Sequence, residues 1–166
     1  MDSIYSFCQT LYNCTYLPMH YYKDEHLELT LPDTGAPFDL AVPYLPKLMG
    51  SHRPVSYLIT KDFQYFGLVQ NAETECCVLI GPVISIQPSP ESIRNLMKEY
   101  AISLEYKELL TELYQFTPTF SFHQFCHFLA LIYQEIFGKT IDIESYLGLH
   151  TGENIVPIAP LHSAST

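Results

Sequence analysis

Three side chains near the C-terminal third are of types that hold metals. His123, Cys126 and His127 stand at i, i+3 and i+4, a spacing that on a helix brings two imidazoles and a thiol together. No second cluster supplies the remaining ligand. Both histidines also fall on the polar side of their segment, where contact with water accounts for them, so no metal is expected. Cys76 and Cys77 are the candidates for thiol chemistry. Adjacent strand residues point to opposite faces, and no basic neighbour in sequence would lower a thiol pKa. Packing is the favoured reading. The third set is aromatic. Tyr57 and Tyr65 can line a pocket on a sheet, Gly67 can let a ligand or backbone approach closely, and Tyr44 stands in a nearby loop. These four are the candidate ligand-binding residues. The alternative for the rings is core packing, and for Gly67 a helix pressed against its strand. No nucleophile elbow, phosphate-binding glycine loop or paired-carboxylate motif occurs. Asp142 and Glu144 read as charges at a helix N-terminus. A non-catalytic chain without a cofactor is therefore expected.

The elements that carry these residues follow from periodicity and punctuation. Ile4, Phe7, Cys8 and Leu11 are spaced for a helix over 3–13, stopped at Asn13. Strands are expected at 15–21 and 26–31, joined by a turn at Lys23-Asp24-Glu25. Residues 32–43 carry three prolines and a glycine and read as loop, followed by a short helix at 43–49. Three strands at 55–60, 64–71 and 75–85, with short polar joints, make an antiparallel meander. Tyr57 and Ile59 share one face and Leu58 and Thr60 the other. Tyr65, Gly67 and Val69 likewise oppose Phe66 and Leu68. Both faces are apolar, so the sheet is expected to be covered on both sides.

Helices follow. Ser89-Pro90-Glu91 has a cap residue, a first-turn proline and a first-turn acid. A second helix is expected from Ser103. Ser121 and Gln124 form a capping box for a third over 122–137, closed by Gly138. At about 100° per residue, the polar positions of this last helix occupy an arc of only about 120°. The remainder is apolar, more than one core contact uses. Phe125, Phe128, Leu129, Ile132, Tyr133 and Ile136 are accordingly the candidate interface toward a dimer partner or a following domain. The alternative is that the two preceding helices sandwich it. A short helical turn is expected within 139–149. From His150 onward, two prolines and no periodicity read as a linker. The division is thus a domain over 1–149 and a linker-like tail over 150–166, in an α+β chain built on a five-stranded antiparallel sheet with flanking helices.

Bulk properties narrow the function. Eight Lys and Arg stand against eighteen Asp and Glu, for a net charge of -10. Phosphate neutralisation needs the opposite balance, and anionic membranes are disfavoured for the same reason. No apolar run approaches the roughly 18 residues of a spanning helix, and Met1-Asp2-Ser3 opens no signal peptide. The cysteine count is five, with no disulfide spacing. Reduced thiols and a cytoplasmic location are the expectation.

The order helix, two strands, loop, three-strand meander, helices is that of GAF- and PAS-like sensor folds. Arg53-Pro54-Val55, Tyr65-Phe66-Gly67-Leu68-Val69, Val78-Leu79-Ile80-Gly81-Pro82-Val83, the Pro-Ser-Pro-Glu helix start and Phe137-Gly138-Lys139 sharpen this. Together they resemble the N-terminal regulatory domain of AraC-type transcription regulators of Firmicutes, over roughly residues 1–145. The resemblance implies a sensor of a small-molecule or peptide effector. It also implies homodimerisation, and DNA binding only through a basic C-terminal helix-turn-helix domain that these residues do not contain. A homodimerisation module without a ligand and a thiol-dependent GAF-type reductase are the alternatives.

Overall fold

A computed structural model describes residues 3–62, 64–71, 73–143 and 155–156. The chain opens with helix α1, Ser3–Thr15, two residues longer than the Asn13 stop implied. The Thr15 hydroxyl donates back to the Leu11 carbonyl at 2.8 Å, and the amide of Leu17 donates to it at 3.1 Å. Tyr16 then turns into the left-handed region at φ 58°. Strand β1 begins only after Pro18, at Met19–Lys23. Asp24 and Glu25 both take positive φ, 51° and 67°, as a two-residue hairpin turn matched to strand twist requires. The turn leads into β2, His26–Leu31, with Lys23 opposite His26.

The loop gives way to a 3-10 turn at Val42–Tyr44 and helix α2, Leu45–Met49. Strands β3, Val55–Thr60, β4, Gln64–Asn71, and β5, Cys76–Ile84, form the meander. β1 joins it by pairing antiparallel with β5, Met19 opposite Ile80. The five antiparallel strands thus run in the order β2-β1-β5-β4-β3. Ile155–Val156, named β6, add a short parallel rung on the β3 edge, opposite Ile59 and Thr60. These two are the described part of the expected tail; the readings for 144–154 and 157–166 lie outside the described residues.

Helix α3, Pro90–Glu99, is capped by Ser89, whose side chain accepts from the Ser92 amide. The segment from Ser103 starts as a 3-10 turn, Leu104–Tyr106, before α4, Lys107–Phe116. Helix α5, Phe122–Phe137, has the expected capping box at both of its hydrogen bonds, and Gly138 closes it at φ 69°.

Alternation sorts the strand residues onto two faces. Tyr57, Ile59, Tyr65, Val69, Val78 and Ile80 belong to one cluster with Cys8 and Leu11 of α1 and Phe125, Leu129 and Ile132 of α5. On the other face Leu58, Phe66, Leu68 and Leu79 meet Tyr44 and Leu48. There Ile84 packs with Ile93 and Leu96 of α3 and Leu110 and Tyr114 of α4. The sheet is therefore covered on both sides, as its two apolar faces require. The preceding helices do not sandwich α5, because α3 and α4 lie across the sheet from it. A buried polar chain ties that second face together. The Tyr114 hydroxyl donates to Gln64 Oε1 at 2.7 Å, Gln64 Nε2 donates to Asp62 at 2.7 Å, and the Thr60 hydroxyl donates to the same carboxylate.

Candidate functional site

The residues singled out by sequence do not form one site. Tyr57, Tyr65 and Gly67 share the α5 face, whereas Tyr44 is on the opposite face, its ring 4.6 Å from Phe66. Tyr57 and Tyr65 are buried against Phe122, at ring separations of 5.0 and 5.5 Å. The space beside Gly67 is already filled: a Cβ there would stand 2.7 Å from Leu129 and 3.1 Å from Phe125. Gly67 is a packing glycine for α5. The Tyr44 hydroxyl lies 3.3 Å from that of Tyr100, which also donates to the Leu40 carbonyl at 2.9 Å. These tyrosines are core rings with polar tips, which corrects the expected pocket.

The proposed α5 interface needs the same correction. Phe125, Leu129 and Ile132 have no exposed surface, and Tyr133 is also buried. Phe128 and Ile136 are partly buried against the same cluster. The apolar arc is wide because its margins are used within the chain. Phe122 reaches Tyr57 and Tyr65, Phe128 stacks 4.9 Å from Phe120, and Phe137 lies 5.5 Å from Tyr133. The outward strip is His123, Gln124, His127, Leu131, Gln134 and Glu135.

His123 and His127 stack with ring centroids 4.6 Å apart on that strip, while Cys126 faces the core at 1% exposure. The three do not converge, and no group of three metal-ligating side chains occurs among the described residues. Cys76 and Cys77 are buried on opposite faces. Burial, and then the neighbouring Cys76, push the Cys77 thiol up to about 11. That is opposite to what a nucleophilic thiolate needs.

The structure instead brings together residues that sequence reasoning passed over. A cleft of about 180 Å³ opens where several distant segments meet. Tyr12 and Tyr16 come from the end of α1, and Leu113 and Phe116 from α4. The 32–41 loop and the Gly81-Pro82 corner of β5 complete the walls. Gly81 is needed at that corner. It takes φ 124°, and a Cβ would stand 2.6 Å from the Tyr65 carbonyl oxygen.

His20 and Asp39 are part of the lining. His20 is 5% exposed, and its Nε2 is 2.6 Å from Asp39 Oδ2. The other oxygen, Oδ1, accepts from the amides of Ala41 and Val42, each at 2.9 Å. Asp39 thereby fastens the loop to the 3-10 turn and the loop to β1. Burial raises the Asp39 carboxyl pKa. The His20 hydrogen bond and charge and the two amides outweigh this, leaving it below its ordinary value of 3.8. A carboxylate at Oδ2 requires the proton on His20 Nε2. In the neutral ring Nδ1 is then a bare acceptor, and it has no hydrogen-bond partner. The pair fixes the orientation of the His20 ring and sets the Asp39 carboxylate in the cleft wall. The one sequence signal for it was the aspartate just ahead of Leu40-Ala41-Val42-Pro43, a cap-like position.

No protein-family model matches the chain, and no curated protein or solved structure matches it significantly. Among the described residues no helix is long and apolar enough to cross a membrane.

Proposed function

We propose that this chain is a ligand-sensing regulatory module of the kind found at the N-terminus of AraC-type regulators, and that its effector occupies the cleft of His20 and Asp39. The carrying observation is the His20–Asp39 pair, with its imidazole buried and its carboxylate partly exposed, in the wall of a cleft where several distant segments meet. A ligand there contacts α1, the 32–41 loop, β5 and α4 at once. Its binding energy is therefore spent on the relative placement of elements from both sheet faces. The order helix, hairpin, loop, meander, helices supports a GAF- or PAS-like sensor, and the resemblance noted above gives it a regulatory setting. DNA contact then belongs to a helix-turn-helix domain outside these residues, consistent with the net charge of -10. A homodimer, which the resemblance brings with it, uses a surface other than the inner arc of α5, since Phe125, Leu129 and Ile132 are core.

The test is a thermal-shift screen of metabolites and short peptides on the whole chain. A native-state ligand at 100 times its Kd stabilises by about 2.7 kcal/mol. At least one compound is expected to raise Tm, and the rise should vanish in Thr34→Trp, where an exposed rim residue is enlarged to fill the cleft. A screen without hits, or hits that raise Tm equally in Thr34→Trp, rejects the site.

A further inference from the structure

The cleft wall holds carboxylates but no lysine or arginine, and part of its N–H supply is missing or engaged. Three of its lining residues, Pro18, Pro32 and Pro82, have no N–H to offer. Several backbone amides of the walls and of the turn beside them are already in use. Ala36 donates to the Thr34 hydroxyl, Ala41 and Val42 donate to Asp39, and Gly81 donates to the Pro18 carbonyl. The Thr117 hydroxyl is likewise engaged, donating to the Leu113 carbonyl at 2.7 Å. No lysine or arginine lines the walls, whereas two carboxylates do, Asp33 and Asp39. An anion would enter uncompensated against both.

The mouth adds an attractive element for the opposite charge. Tyr16 and Phe116 are large rings left 53% and 67% exposed. They are not scattered, since Tyr12, Tyr16 and Phe116 form a contiguous set with centroids 5.8 and 6.5 Å apart. Burial, and then Tyr16, raise the Tyr12 hydroxyl pKa, so at neutral pH its ring is an uncharged phenol. Aromatic faces beside carboxylates attract cations. A wall without free cationic donors gives a donor-only group an advantage over an acceptor.

Resting on the reading of this cleft as the ligand site, we infer that it selects a small organic ammonium over neutral or anionic molecules of the same shape. The cation's N–H groups meet the carboxylate and carbonyl acceptors, and its charge lies against the ring faces at the mouth. The volume of about 180 Å³ is below the roughly 300 Å³ at which drug-sized pockets begin, so the ligand is a small amine.

Three probes on one skeleton test this: 2-phenylethylammonium, 2-phenylethanol and phenylacetate. Each is titrated into the whole chain at neutral pH and followed by amide NMR shifts at Ala36, Ala41 and Gly81. The ammonium is expected to bind about 3- to 30-fold more tightly than the alcohol, with phenylacetate weakest. Asp33→Asn and Tyr16→Leu, both at exposed positions, are each expected to weaken the ammonium by about 1.5- to 5-fold. Asp33→Asn should leave the alcohol unchanged. If the alcohol or phenylacetate binds as tightly as the ammonium, the charge preference is overturned while the cleft stands. If neither substitution changes ammonium affinity, the cation sits elsewhere and the inference fails. If none of the probes moves the cleft amides, the cleft itself is no ligand site.

Discussion

Asp39 shows how one side chain can join three segments, through His20 on β1 and through the amides of Ala41 and Val42. Its charged form is favoured in the native state, so its linkage to pH has a definite sign. A carboxyl whose folded pKa is lowered contributes stability that is fully present above the unfolded value of 3.8. That contribution is lost as pH falls through the depressed folded value. We expect Asp39→Asn to lack this increment above about pH 4, and its stability deficit against the unmodified chain to close as pH falls further. Asp39→Ala, which also loses the cap to both amides, should cost about 1–2 kcal/mol at neutral pH. Chemical denaturation measured from pH 2 to 7 checks both; identical acid limbs for Asp39→Asn and the unmodified chain would remove Asp39 from the linkage. At this scale the sequence was least informative. Types such as His123, Cys126 and His127 advertise chemistry, yet their faces are divided between solvent and core. His20 and Asp39 meet only through the tertiary fold, and no local spacing records that.

Elements were more legible, because periodicity, caps and turns are local. Helix α5 begins and ends where Ser121, Gln124 and Gly138 imply, and β2, β3 and β4 have the expected bounds. The misreadings arose where tertiary contacts decide. The wide apolar arc of α5 suggests a second interface, but aromatic side chains at its margins consume that surface inside the molecule. Leu129 is the clearest case, pressed against the open side of Gly67. Leu129→Ala is expected to cost about 2–5 kcal/mol. Ile132→Asp, which buries a charge without a partner, should unfold the chain instead of yielding a folded monomer. Circular dichroism with sedimentation velocity distinguishes these outcomes: a folded Ile132→Asp chain of reduced mass would restore α5 as an interface.

At the scale of the whole molecule, the α+β class, the five antiparallel strands and the coverage of both sheet faces were legible from alternation alone. The strand order and the side on which each helix packs were not, since both depend on pairings remote in sequence. Burial also sets a reactivity pattern across the molecule. Cys8, Cys76, Cys77 and Cys126 are buried, and Cys14 is exposed. Brief alkylation of the native chain is expected to label Cys14 alone, with the others reacting after denaturation. Rapid native labelling at Cys76 or Cys77 would reopen the thiol reading. The central pairing of β1 with β5 bears on how the chain reaches this state. The β1–β2 hairpin can close early, but its remaining sheet partner follows the whole β3–β4 unit in sequence. On a ribosome the N-terminal ribbon therefore waits, its β1 edge unpaired, until the third strand of the meander has emerged. Such high contact order slows folding, and an exposed strand edge invites pairing with other chains. The interval before β5 appears is thus when a nascent copy of this protein is most exposed to aggregation.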